Sequence, residues 1–215
     1  MAADREALKE RWDALMRALL RDPDGEAERR YGEEFIEAWR EPHRRYHGPA
    51  HLIAMLDRLE RWADRADDPA LLRLAAFAHD AVYRCEPGKD ERESALMAEV
   101  CGVGLGLSGA RIDRMRRWIE ATAGHAPQPD NDGKLFLDAD LEILASEPDA
   151  YMAYAKAIRE EYAAVPEALF RAGRAAAMGR FLERPTIYQH PRTPSSWERR
   201  ARENLAREIA ALTCG

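Results

Sequence analysis

A histidine followed directly by an aspartate, His79-Asp80, lies within a stretch of almost unbroken apolar residues over 69–83. A helix that is apolar on all sides is normally buried. A buried carboxylate is normally paired with a cation or bound to a metal. The doublet is therefore a candidate metal site. The ordinary structural alternative is an ion pair between Asp80 and Arg73 beside a hydrogen-bonded His79.

A second acidic candidate lies in the segment LFLDADLEILA, residues 135–145. With about 3.6 residues per helical turn, Asp140 projects into the middle of the apolar arc of this segment, whereas Asp138 projects to the other side. We therefore expect Asp140 to be buried and Asp138 to be solvated or to cap the helix. A different helix start would exchange these roles, and a buried Asp140 could equally be the partner of an arginine.

His51 is a further candidate metal ligand. It lies in the first turn of a helix that is predicted to open at Pro49, on the edge of its apolar arc, and His47 precedes it by one helical turn. Imidazoles and carboxylates from three helices suit a borderline to hard divalent ion, which we expect to be Mn, Fe, Co, Ni, Zn or Mg. The predicted metal ligands are His51, His79, Asp80 and Asp140.

The elements that must position these residues are helical almost throughout. β-branched residues are few, and no segment sustains the alternation of a strand. The pattern predicts an all-α fold, a single domain over residues 1–215 built from about ten helices. The predicted helices cover 4–21, 26–40, 49–65, 69–83, 90–101, 108–123, 135–145, 148–164 and 166–184, and a last helix opens at Ser195.

Local signals set several of these boundaries. The glycine-rich segment GVGLGLSG is predicted to end one helix near residue 101, and Ser108 to cap the next. Ser195 and Glu198 match a capping box for the last helix. Because the glycines do not follow a strand, we do not expect them to form a nucleotide-binding loop.

Composition excludes several classes of protein. A hydrophobic fraction of 46% with 33% charged residues excludes a disordered or fibrous chain. No apolar run approaches the ~20 residues of a membrane span, so we expect no membrane partner. The net charge of -6 argues against a nucleic-acid duplex as the main partner. The charged N-terminal segment and three widely spaced cysteines favour a cytoplasmic protein.

The order H…HD…D on a helical chain resembles the HD superfamily of metal-dependent phosphohydrolases. Longer strings resemble a family of small bacterial proteins described as predicted metal-dependent HD-domain phosphohydrolases: RRYHGPAH, FAHDAVY, ERESA, IEATAGH, LDADLEIL, AIREEY and GRFLERPTIY…ARENL. The resemblance covers about residues 30–207. It implies the HD helical fold, with metal ligands at His51, His79, Asp80 and Asp140. The implied activity is hydrolysis of a phosphate ester, in a nucleotide or another small phosphorylated metabolite, by metal-activated water.

Further residues receive roles within this hypothesis. Asp80 would orient the water as well as bind the ion. Glu91 resembles the acidic position shortly before Ser-Ala in the family pattern, and it would act as a base beyond the metal ligands. Its ordinary alternative is an exposed acid at a helix N-terminus. The candidate contacts to the substrate phosphate are His125, Arg44, Arg84, Lys89 and Arg180. His125 could alternatively complete a second metal site.

Two rival functions stay open. Some HD-fold proteins hold two irons and oxidise substrates with O₂, and they usually have two more histidines between the HD doublet and the last aspartate. Only His125 lies in that interval here, although His47 could enter a second site. The chain could also be a catalytically silent nucleotide-binding regulatory domain, which the presence of all four expected ligands disfavours. The sequence leaves a homodimer open.

Overall fold

The computed structural model describes residues 2–20 and 25–214. Within these ranges the chain forms ten α-helices and two short 3-10 helices and contains no strand, which confirms the predicted all-α class. The helices are α1 Ala2–Leu19, α2 Glu26–Trp39, α3 Pro49–Arg61, α4 Pro69–Ala78, α5 Asp90–Gly104, α6 Gly109–Ala121, α7 Asn131–Asp140, α8 Pro148–Glu161, α9 Glu167–Leu182 and α10 Ser195–Thr213. The 3-10 helices cover Ala63–Arg65 and Leu141–Ala145. The predicted end of the first helix at Arg21 lies outside the described residues.

The chain divides into two compact units, Met1–Leu137 and Asp138–Gly215, and the division falls within α7. The single domain over 1–215 stays a prediction. In the first unit, α4 is the central helix, because every residue from Ala70 to Ala78 except Arg73 is buried. This burial confirms the expectation for a helix that is apolar on all sides. Large aromatic side chains fill the surrounding core: Trp12, Phe35, Trp39, Phe77, Trp118 and Phe136.

The second unit has its own apolar cluster, in which α9 and the 3-10 helix Leu141–Ala145 pack against α10. The predicted capping box of α10 is wrong, because the N-cap residue is Pro194 and no side chain caps the helix. Glu198 instead accepts hydrogen bonds from the backbone N–H of Ile187 and pairs with Arg202 at 2.6 Å. The bond to Ile187 connects the segment 185–194, which contains three prolines, to α10.

The glycine-rich segment also differs from its prediction. Helix α5 continues through Gly102 to Gly104 and does not end near residue 101. A glycine within a helix costs only about 1 kcal/mol. At Gly102 an added Cβ would lie 2.9 Å from Ile112, so glycine lets α5 and α6 approach closely. Ser108 is the N-cap residue of α6, but its side chain forms no capping bond.

Within the described part of the chain, no helix combines the length and the apolar character that crossing a membrane requires.

Candidate metal centre

Helix α4 ends at Ala78, whereas the sequence predicts a helix that continues to about Tyr83. The HD doublet, His79-Asp80, therefore lies in the turn that follows the helix. His79 is the C-cap residue, and Asp80 follows outside the helix. The alternative of an ion pair between Asp80 and Arg73 required one helix through both residues, and α4 does not extend to Asp80. The guanidinium of Arg73 donates to the carbonyl of Pro69, one turn back on its own helix.

Two side chains at the start of α5 hold this turn, and neither has a role that the sequence pattern predicts. The Ser94 hydroxyl accepts a hydrogen bond from the backbone N–H of Val82 at 3.0 Å. The carboxylate of Asp90 accepts from the backbone N–H of Arg84 at 2.8 Å. Asp90 and Ser94 are both buried and lie one helical turn apart. A polar pair at that spacing is the signal that could have identified them.

The ring of His79 has a defined orientation. Its side chain is 1% exposed, and Nδ1 lies 2.9 Å from the carbonyl oxygen of Ala76. Because a carbonyl oxygen only accepts, Nδ1 donates, and the neutral ring keeps its lone pair on Nε2. Nε2 is buried and lies 3.2 Å from a carboxylate oxygen of Asp80. Metal-binding histidines usually have this arrangement, with one ring nitrogen donating to a carbonyl and the other facing the ion.

His51 lies in the first turn of α3, which opens at Pro49 as predicted. Its side chain is buried, and its ring centroid lies 5.5 Å from that of His79. The rings of Trp39 and Tyr46 also contact it, at centroid distances of 6.0 and 4.8 Å. The first turn of α3 and the C-cap of α4 thus bring two buried histidines together.

Asp140 is the last residue of α7, which begins at Asn131 in the first unit and continues to Asp140 as one helix. His51, His79 and Asp140 each offer one ligand atom, and these atoms all lie within 4.8 Å of one another. An ion that binds such atoms at about 2.1 Å keeps them roughly 3–4 Å apart, a difference that side-chain rotation can close. Two imidazole nitrogens and a carboxylate oxygen suit a borderline divalent ion. This group could therefore hold a metal ion.

Asp138 is fully buried, so the prediction that it would be solvated or cap α7 is wrong. Its carboxylate accepts hydrogen bonds from the backbone N–H groups of Gln189 and His190, at 2.7 and 2.9 Å. It also accepts from the hydroxyl of Thr193 at 2.6 Å. Asp140 is only partly buried, although the helical projection placed it in the core. The projection failed because it contained no information about the 189–193 segment.

Asp80 and Glu91 stand outside the three-residue group, and their roles stay predictions. Glu91, in the first turn of α5, accepts a hydrogen bond from the backbone N–H of Gly88. Burial raises the pKa of the Glu91 carboxyl, and repulsion from Asp80 adds to the rise, while backbone hydrogen bonds oppose it. A carboxylate with a raised pKa is a better proton acceptor.

The predicted phosphate contacts have very different surroundings. Arg44 is buried, and Glu41 together with backbone carbonyls takes up all its N–H donors, which contradicts a phosphate contact there. Arg84 pairs with Glu93, and Lys89 pairs with Glu86. Arg180 is exposed on α9 in the second unit, and the partly buried His125 follows α6 with a left-handed backbone, φ 49°.

No family model matches the chain, and no curated protein or solved structure matches it. The fold and the site define an all-α protein in which His51, His79 and Asp140 could hold a metal ion.

Proposed function

We propose that this protein is a metal-dependent phosphohydrolase of the HD-domain type. It would cleave a phosphate ester in a nucleotide or another small phosphorylated metabolite. The observation that carries the proposal is the group His51, His79 and Asp140, with ligand atoms within 4.8 Å of one another and both imidazoles buried. Two imidazole nitrogens and a carboxylate oxygen this close together are a donor set that suits a divalent cation.

The motif order supports the same function. The resemblance to HD-domain phosphohydrolases implies four ligands, and His51, His79 and Asp140 are three of them. Asp80 is the fourth implied ligand, and its carboxylate lies 3.2 Å from Nε2 of His79. A side chain at this distance needs only a small rotation to join an ion that His79 binds.

A divalent ion, when bound, acts as a Lewis acid that lowers the pKa of water and polarises a phosphoryl oxygen. His51, His79 and Asp140 would hold it, with Asp80 as the fourth ligand. The hydrogen bond from Nδ1 of His79 to Ala76 keeps Nε2 directed at the ion. Glu91, whose pKa burial raises, would accept a proton from the attacking water at its carboxylate.

The test combines elemental analysis of the purified protein with a screen of nucleoside mono-, di- and triphosphates in the presence of each candidate ion. We expect bound metal and phosphate release from the parent protein, and neither from His79→Ala. The matched control is His43→Gln. This histidine is outside the group, and a glutamine amide can still donate to the carbonyl of Tyr83, which Nε2 of His43 contacts.

Other outcomes of the screen identify the rival functions. Iron-dependent O₂ uptake without phosphate release would favour the di-iron oxygenase. Nucleotide binding without turnover, with every ion tested, would favour the silent regulatory domain. A parent protein without metal would refute the proposal.

A further inference from the structure

Two irregular segments adjoin the histidine pair. Residues 41–48 lead into α3 and so to His51, and residues 79–83 form the turn that contains His79 and Asp80. Neither segment has the regular backbone hydrogen bonds that fix a residue within a helix. The side chains that connect these two segments therefore contribute to the distance between His51 and the HD turn.

Arg44 contacts both segments. Its Nη1 donates to the carbonyl of His47 at 3.1 Å and to the carbonyl of Asp80 at 2.7 Å. Its Nη2 donates to the carbonyl of Ala81 at 3.1 Å. Nε and Nη2 both donate to the same carboxylate oxygen of Glu41, at 3.1 and 2.9 Å. One guanidinium thus joins the backbone before α3 to the backbone of the HD turn.

The surroundings of Arg44 hold the guanidinium in one orientation. Its side chain is 1% exposed, and its charge is balanced by Glu41, which lies nearer the surface. The guanidinium carbon lies 5.5 Å from the ring centroid of Trp39 and 5.4 Å from that of Tyr83. Cation–π contacts of this kind are stronger when the cation is desolvated.

We infer that Arg44 is a positioning residue that sets the spacing between His51 and the His79-Asp80 turn. The inference rests on the proposed metal site. An arginine is needed because its planar fork presents fixed donors in several directions, whereas lysine has a single nitrogen on a flexible stem. The bond to the Asp80 carbonyl fixes the backbone from which the Asp80 carboxylate reaches Nε2 of His79.

The test compares Arg44→Lys, which keeps the charge, with Arg45→Lys as the matched control. Arg45 is the exposed neighbour, and its guanidinium donates to the carbonyls of Pro42 and Arg44. In a Co²⁺ titration we expect Arg44→Lys to bind about tenfold to 100-fold more weakly, with an altered absorption spectrum at saturation. The control should stay within about twofold of the parent. A structural role alone would change thermal stability without changing the spectrum of the bound ion.

Hydrogen exchange of the metal-free protein provides a readout that needs no ion. Backbone amides in 79–83 should exchange faster in Arg44→Lys than in the parent, whereas those of α9 should not change. If Arg44→Lys does not fold, Glu41→Gln replaces it, since Glu41 is exposed and its loss should weaken Co²⁺ binding in the same direction.

The outcomes separate this inference from the proposed function. Equal Co²⁺ affinity and equal spectra in Arg44→Lys and the parent would overturn the role of Arg44 and leave the metal site intact. A parent that binds no Co²⁺ would overturn the proposed function. In that case, amide exchange over 79–83 that is equal in Arg44→Lys and the parent would overturn the role of Arg44 as well. Faster exchange in Arg44→Lys would still show that Arg44 positions the turn.

Discussion

The first and last turns of α7 each contain an aspartate, Asp132 and Asp140, and different groups surround the two carboxylates. Asp132, in the first turn, is fully buried and accepts from the backbone N–H groups of Asp67 and Asp68 and from Arg114 at 2.6 Å. Asp140, in the last turn, lies with two imidazoles that offer ring nitrogens as ligand atoms.

The difference separates a carboxylate that stabilises the fold from one suited to bind an ion. Donors surround Asp132 and satisfy its charge within the protein. Asp140 lies beside two imidazoles that could themselves bind a metal ion, and a cation among the three would interact favourably with each. Asp138, between the two, belongs to the first kind because three donors from the 189–193 segment bind it.

The largest effect on stability is expected at Asp132. Asp132→Ala leaves two backbone N–H groups and Arg114 without their acceptor, which should lower the free energy of unfolding by about 3–5 kcal/mol. Urea denaturation measures this. The control is Asp113→Asn on the exposed face of α6, which should change stability by less than about 0.5 kcal/mol. Similar free energies of unfolding for the two variants would show that Asp132 stabilises the fold no more than an exposed aspartate does.

The largest effect on metal binding is expected at the HD doublet. His79→Ala or Asp80→Ala should weaken metal binding by about 100-fold or more without unfolding the chain, since each removes an expected ligand. Circular dichroism establishes the fold, and elemental analysis after dialysis measures the metal. Metal content equal to that of the parent would reject the site.

A smaller loss of stability is expected for Asp138→Asn. Its donors come from the 189–193 segment, and an amide replaces a charged acceptor with a weaker one, so the cost should be about 2 kcal/mol. Thermal unfolding measures this change. Stability equal to that of the parent would show that the carboxylate does not hold the segment.

The smallest effect is expected at Glu91, through pH. Burial raises the pKa of this carboxyl, and a base must be deprotonated, so phosphate release should fall as the pH drops through that raised value. Glu91→Gln should lower kcat by about tenfold and remove this acid limb. An unchanged acid limb would show that another group titrates there.

The sequence predicts the helices well where local signals determine them and poorly where distant side chains do. Pro49 opens α3 as expected. No glycine or proline marks the end of α4 at Ala78, so the sequence does not predict it. The turn that follows is held by Ser94 and Asp90, which are side chains of α5. The predicted start of α7 is four residues late, since Asp130 caps its first turn by accepting from the backbone N–H of Gly133.

The candidate site shows the same limit. The sequence selects His51, His79 and Asp140 by their types and positions, and the structure brings these three together. It gives Asp138 the wrong environment, because the donors of Asp138 lie about fifty residues further along the chain. It also treats Arg44 as a phosphate contact, because the carbonyls that bind this guanidinium belong to backbone that no side-chain pattern shows.

The most direct test of the account is the metal content of Asp140→Asn and Asp138→Asn, measured side by side after loading with the same divalent ion. We expect Asp138→Asn to keep the metal content of the parent and Asp140→Asn to lose most of it. Equal metal in Asp140→Asn and the parent, or a greater loss in Asp138→Asn, would contradict the claim that the last turn of α7 supplies a metal ligand.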